Sequence, residues 1–234
     1  MKLHLQGRRA LVTGGSGGVG LGIAKALFAE GVELVIAGRR SDALKRAADQ
    51  LGGAQTVSID LTQPDTALQL ADAAGPVDIL VNCAGASAPL GIGGSETDWQ
   101  ASYQLRGIGR RQLIEAFLPH MRASAFGRIF MIGGGFEVQQ VVNAASVFNA
   151  ASVVYGKSLS HMVAPDGITV NTIALGFIQS EQGPAPVPAS SIPVGYYGDP
   201  ADVGALVAFL ASPLARYITG EVIAVDGGFH RFAF

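Results

Sequence analysis

A glycine-rich turn set between a strand-like run and a helix-like run constrains this chain more than any other feature. Ala10-Leu11-Val12-Thr13 reads as the end of a first β-strand, and Gly14-Gly15-Ser16-Gly17-Gly18-Val19-Gly20 follows at once. Leu21, Ala24, Leu27 and Phe28 then recur at helical spacing. A turn of this kind lets backbone N–H groups approach a pyrophosphate at the positive end of a helix. Gly14, Gly18 and Gly20 stand where a Cβ would crowd the turn, the phosphates or the strand–helix packing. The pattern points to a dinucleotide site, in present use or inherited.

The rest of the chain repeats the strand–helix alternation. Leu34–Ala37, Thr56–Ile59, Ile79–Val81, Arg128–Ile132, Thr169–Ile173 and Val222–Val225 are short and mostly apolar throughout, as strands buried on both faces of a parallel sheet read. Helical patterns fall near 41–51, 64–74, 97–122, 144–163 and 200–211. Ser41 and Asp199 are expected caps, with Pro200 in a first helical turn. The expected fold is α/β: one Rossmann-type doubly wound domain over 1–234, with a central parallel sheet of about seven strands. Residues 176–199 carry Pro184, Pro186, Pro188 and Pro193 without periodicity and read as a substrate-side loop or a surface excursion.

Composition narrows the partners. A net charge of −2 gives no reason to expect nucleic acid or an anionic membrane. Cys83 is the single cysteine, so no disulfide within the chain is possible and no cysteine-based metal site is expected. No apolar run reaches the ~18 residues of a membrane span, and charges interrupt the first residues where a signal peptide would be apolar. A soluble, cytoplasmic protein is the expectation.

Five landmarks in order make the chain resemble the short-chain dehydrogenase/reductase family over essentially its full length. They are Thr13-Gly14 with Gly18-Val19-Gly20, Asp60-Leu61-Thr62, Asn82-Cys83-Ala84-Gly85, Gly167-Ile168-Thr169-Val170-Asn171, and Tyr217–Glu221 with Val225-Asp226-Gly227-Gly228. Leu175-Gly176 replaces the family's usual Pro-Gly. The resemblance implies a nucleotide lined by Gly14, Ser16, Gly17, Gly18, Val19 and Gly20, by Asp60 and Leu61, by Asn82, Ala84 and Gly85, and by Gly176 and Ile178. Where an acidic residue commonly binds the adenosine ribose of NAD, this chain has Gly38, then Arg39 and Arg40. No carboxylate repels a 2′-phosphate there, and a guanidinium can bind one, so NADP(H) is the expected cofactor, in redox use or retained without it. The other reading of both arginines is as solvated residues opening a helix.

The resemblance fails at the chemistry. Family members reduce carbonyls with a Tyr-x-x-x-Lys on one helix, a Ser after the fifth strand and an Asn on an earlier helix; the Tyr is the general acid/base. Counting back from Gly167–Asn171 sets Ala145 at the Tyr and Asn149 at the Lys. Gly134 falls at the Ser, and Arg106 at the Asn. No Tyr-x-x-x-Lys occurs anywhere in the sequence. Tyr155 with Lys157 has the wrong spacing and reads as packing or interface.

Substitutes are few. Glu137, followed by Gln139 and Gln140 and flanked by Phe136 and Val138, is the one carboxylate in the loop after the fifth strand, a candidate base or simply a solvated acid. Arg106 is a candidate for an anionic substrate group or an oxyanion, or a structural ion pair. Asn149 is a candidate for a ribose hydroxyl. His120 and His161 fall on helix exteriors, Tyr103, Tyr196 and Tyr197 are weaker candidates, and Trp99 reads as core.

Three functions stay open. One is an atypical NADP(H)-dependent oxidoreductase acting on a small organic molecule without Ser-Tyr-Lys chemistry. The others are a non-redox cyclase, isomerase, dehydratase or lyase, and a non-catalytic partner subunit. Val147, Phe148, Val153, Val154 and Met162 supply an apolar face on the 144–163 helix for a homodimer or homotetramer.

Overall fold

Runs rich in valine, isoleucine and leucine form the strands of the computed structural model, which describes residues 1–85, 95–134, 144–179 and 187–231. Seven strands pair in parallel: β1 (Arg9–Thr13), β2 (Glu33–Gly38), β3 (Gln55–Ser58), β4 (Ile79–Asn82), β5 (Gly127–Gly134), β6 (Ile168–Leu175) and β7 (Val222–Val225), in the order β3-β2-β1-β4-β5-β6-β7. Helices α1 (Gly18–Ala29), α2 (Ser41–Gln50), α3 (Thr66–Ala74), α4 (Glu96–Ser102), α5 (Arg110–Ala123), α6 (Ala144–Val163) and α7 (Pro200–Ala211) connect and cover them. This is one doubly wound α/β domain. Its central strands are buried on both faces, which is why they read as continuous apolar runs. Val12, Ile36, Val81, Phe130 and Ile173 pack with α1, α2 and α7. Leu11, Val35, Leu80, Ile129 and Val170 pack with α3, α5 and α6.

The strand order reverses between β1 and β4, the place where ligands of such sheets bind, at the carboxyl ends. Thr13 ties that crevice together. Its Oγ1 donates to Val81 O at 3.3 Å and accepts from Cys83 N at 3.0 Å and Ala84 N at 2.9 Å.

Three local expectations need correction. Ser41 is the first helical residue of α2 rather than its cap; Arg40 holds the cap position with no side-chain bond, and Asp42 pairs with Arg46 at 2.9 Å. The 97–122 pattern is not one regular helix, because a π-helical stretch, Tyr103–Gly109, separates α4 from α5. Gly107 and Gly109, both poor helix formers, lie in that stretch, and π segments recur at functional sites. Trp99 is half-buried outside both cores, edge-on to Phe148 at 6.1 Å between ring centroids. Asp199 is the cap expected: its carboxylate accepts from Ala201 N at 2.7 Å, and Asp202 accepts from Asp199 N at 2.8 Å. Among the described residues no helix is long and apolar enough to cross a membrane.

Candidate active site

The glycine turn is built by contact. Gly14 has φ +72, and a Cβ on it would lie 3.1 Å from Ala84 Cα across the β1–β4 crevice. A Cβ on Gly20 would lie 2.2 Å from Gly14 O, closer than real Cβ atoms come. Gly17 caps α1 with no side-chain bond, so the first-turn N–H groups keep their capacity for an anion.

Around this turn lie the other nucleotide candidates. Ser16 Oγ stands 3.4 Å from where a Gly38 Cβ would be, beside the exposed Arg39 and Arg40. Asp60 accepts from Thr62 N at 3.0 Å and Thr62 Oγ1 at 2.8 Å. Burial alone would raise its pKa; the Thr62 bonds and the Arg39 charge outweigh that and hold it below the ordinary value. Leu61 and Asn82 are buried, and Asn82 Nδ2 has no protein partner among the described residues. Thr13, Leu61, Asn82, Ala84, Leu105, Arg110 and Leu113 line one narrow cleft. After β6, Gly176 packs on Asp226, and Ile178 sits in a bridge to Gly198.

The catalytic candidates fall into two groups. Glu137, with Gln139 and Gln140, lies outside the described residues. Arg106 and Asn149 are both buried and both sit in one polar network. Arg106 lies on the π stretch, with its Nη2 2.7 Å from where a Gly85 Cβ would be. Asn149 Nδ2 donates to Gly134 O at 3.3 Å, and its Oδ1 accepts from Arg110 Nη1 at 3.2 Å. The Asn149 amide is therefore engaged within the protein at both ends. Ala145, one turn earlier on α6, is buried.

Arg110 is the residue sequence reasoning missed. It is 6% exposed, and its bonds go to neutral oxygens: Asn149 Oδ1, Ser152 Oγ at 3.2 Å and Ile132 O at 2.9 Å. Ser152 donates in turn to Phe148 O at 2.8 Å, with Arg106 O 3.3 Å away. Burial and then the like charge of Arg106 push the Arg110 pKa down to about 10. The signal available in the sequence was the four-residue spacing from Arg106, one helical turn.

Cys83 neighbours this charge. Its thiol packs against the first core and is pushed up to about 12 by burial, which the Arg110 charge only partly opposes. Since the thiolate is the nucleophile, native protein at pH 8 should alkylate with iodoacetamide about a hundredfold more slowly than unfolded protein. Equal rates in a thiol-modification time course would contradict that environment.

The weaker candidates lie elsewhere. Tyr155 packs at the edge of the second core and Lys157 pairs with Glu221 at 3.4 Å, so they make no joint site. His120 faces Asp78 at 3.6 Å, beside the amino end of β4, away from the crevice. His161, Tyr103 and Tyr196 are exposed, and Tyr197 Oη donates to Val187 O at 2.7 Å. Asp226 accepts from Gly228 N and His230 N, each at 2.9 Å, and contacts His230 Nδ1. Phe229 stacks edge-on with Phe177 at 4.9 Å, tying the tail to the segment after β6.

Comparison with known proteins now bears on this geometry. Residues 14–230 match the family model described as Enoyl-(Acyl carrier protein) reductase. The 3-oxoacyl-(acyl-carrier-protein) reductase of Vibrio cholerae is 33% identical over 242 residues, covering 97% of this chain and 99% of its own. The chain belongs to the short-chain dehydrogenase/reductase family. Another member, galactitol 2-dehydrogenase (L-tagatose-forming) of Cereibacter sphaeroides, is 32% identical, covering 97% of this chain and 96% of its own. Among solved members, L-sorbose reductase of Gluconobacter frateurii, complexed with NADPH and L-sorbose, superposes with a TM-score of 0.88 at 27% identity, covering 99% of this chain and 100% of its own. A Pseudomonas aeruginosa RhlG/NADP active-site complex gives 0.88 at 32% identity, covering 99% of this chain and 100% of its own. The Vibrio, Cereibacter and Gluconobacter members are oxidoreductases by name, and the two structures hold NADPH or NADP.

Proposed function

We propose that this chain is an NADP(H)-dependent oxidoreductase that works on a small, activated organic electrophile without the family's Asn-Ser-Tyr-Lys group. The observation that carries the reading is a contrast between the two halves of the crevice. Three features of the nucleotide half support it: the Gly14–Gly20 cradle leaves no room for a Cβ at Gly20, the buried Asn82 Nδ2 has no partner among the described residues, and the exposed Arg39 follows Gly38, where the family resemblance implies contact with the adenosine ribose. The other half has Arg106, Gly134, Ala145 and Asn149 in the four catalytic register positions, and none of them is an ordinary acid.

Bound NADPH supplies a hydride. The chain's residues then orient the acceptor and stabilise charge: Gly133 and Gly134 end β5 without side chains, and the buried Arg110, bonded to Ile132 O on the same strand, brings positive charge to that end. An iminium, a quinone or a conjugated enone takes up hydride with little help from an acid, which suits such a site. Glu137 is our candidate for any proton removed. We also propose self-association through the exposed α6 residues Val147, Val154 and Met162.

Nucleotide selectivity tests the reading. Arg39→Ala should weaken NADPH by about 1–3 kcal/mol, the worth of a charge-assisted contact, and leave NADH almost unchanged. Fluorescence titration of both nucleotides checks this; equal affinities before and after the change would defeat it. Absorbance of the reduced nicotinamide during substrate screening separates the second reading. Turnover without hydride loss would make the chain a cyclase, isomerase, dehydratase or lyase, a possibility the missing donor group keeps in view.

A further inference from the structure

We propose that Arg110 distinguishes the two redox forms of the nucleotide, its buried charge favouring NADPH over NADP⁺. The inference rests on the oxidoreductase reading and assigns a selectivity to that same site.

NADPH and NADP⁺ share their phosphates and riboses and differ at the nicotinamide, which is neutral when reduced and positively charged when oxidised. A fixed cation near that ring therefore repels one form only. Arg110 is such a cation. It is buried, and burial followed by the like charge of Arg106 lowers its pKa only to about 10, so it stays charged at neutral pH. Among the described residues it makes no ion pair: its bonds go to Ile132 O, Asn149 Oδ1 and Ser152 Oγ, all neutral. Those oxygens hold the guanidinium in place but cancel none of its charge. The placement gives that charge its effect. Ile132 lies just before Gly133 and Gly134 at the end of β5. Gly134 and Asn149 stand in the register of the family's serine and lysine, the group beside which hydride is delivered. Arg110 also lines the narrow cleft with Thr13, Asn82 and Ala84, and its charge reaches the Cys83 thiol against the larger effect of burial. It thus acts on the β4 and β5 ends of the crevice together. Packing does not account for the residue, because a buried charge is expensive and apolar side chains of similar size often serve stability as well or better. The phosphates attract Arg110 in both forms alike and drop out of the comparison. What remains is repulsion of the oxidised ring, which favours loading of NADPH and departure of NADP⁺.

The test is calorimetric titration of the full-length protein with NADPH, NADP⁺ and 2′-phosphoadenosine 5′-diphosphoribose, which lacks the nicotinamide. The wild type should bind NADPH at least about tenfold more tightly than NADP⁺, the size expected of two like charges in a site of low permittivity. Arg110→Gln, which is neutral, should shrink that ratio at least about threefold, and Arg110→Lys, which keeps the charge, should preserve most of it. The truncated nucleotide reports any loss common to all three ligands. Arg106 and Glu137 stay in every variant, so a change in the ratio belongs to Arg110. Circular dichroism and thermal melting show which variants fold; Arg110→Met, neutral and of similar reach, replaces Arg110→Gln should that one unfold. Parallel weakening of all three ligands at an unchanged ratio in the neutral variants would make Arg110 a structural residue and overturn the proposal. So would NADP⁺ bound as tightly as NADPH by the wild type, or a ratio in Arg110→Lys as low as in Arg110→Gln. The two levels separate cleanly. Nucleotides bound by the wild type without preference defeat this inference alone; a wild type that binds neither NADPH nor NADP⁺ defeats the oxidoreductase reading and the inference with it.

Discussion

Gly20→Ala should cost this protein nearly all of its nucleotide affinity. The new Cβ would stand 2.2 Å from Gly14 O and 2.7 Å from Gly14 C, both backbone atoms, so no side-chain rotation relieves the clash. The turn has to open, and Gly14 itself is held at φ +72 against Ala84, 3.1 Å from its own would-be Cβ. Opening it moves the N–H groups at the start of α1 away from where a pyrophosphate would sit. Losing two hydrogen bonds to a charged group, at about 1.5–3 kcal/mol each, amounts to at least a hundredfold in affinity. NADPH fluorescence titration measures this, with circular dichroism confirming that the sheet survives. An affinity within a factor of about three of the wild type would mean that the turn does not hold the nucleotide.

The fold was legible because its physics is local. Strands covered on both faces are mostly apolar, so β1, β4, β5 and β6 announce themselves as short runs rich in Val, Ile and Leu, and Asp199-Pro200 marks the start of α7 by cap chemistry. The candidate nucleotide half of the site was legible for the same reason: Gly20 is required by its contact with Gly14 within one strand–turn–helix unit. The other half was not. Arginine is mostly exposed in folded chains, and Arg110 is buried only because Asn149, Ser152 and Ile132, distant in sequence, converge on it. Trp99 left the expected core because Phe148 on α6 offers it an aromatic edge, a contact no periodicity encodes. The π stretch at Tyr103–Gly109 was hidden inside an otherwise helical pattern, where its glycines read as tolerated interruptions.

The second large effect is a missing activity. Reduction of an ordinary ketone ends with an alkoxide that needs a proton, and general acid catalysis of that step is worth about 10²–10⁴-fold. Ala145 has no proton to give, Gly134 has no hydroxyl, and Asn149 is held at both ends by Gly134 O and Arg110. Arg106 and Arg110 can stabilise an anion, yet an ordinary guanidinium is a poor acid near neutral pH. Arg110 keeps its proton there too, since even its lowered pKa stands at about 10.

Reduced-nicotinamide absorbance, followed with NADPH-loaded protein and either a simple unactivated ketone or a 3-oxoacyl thioester, tests the central claim most directly. The 3-oxoacyl group is the one in the name of the Vibrio cholerae relative, a 3-oxoacyl-(acyl-carrier-protein) reductase. The account predicts saturable NADPH binding together with oxidation about 10²–10⁴-fold slower than general acid catalysis would permit. Rapid NADPH-dependent reduction of either substrate would contradict it, because a proton donor would then have to exist where the tyrosine is missing.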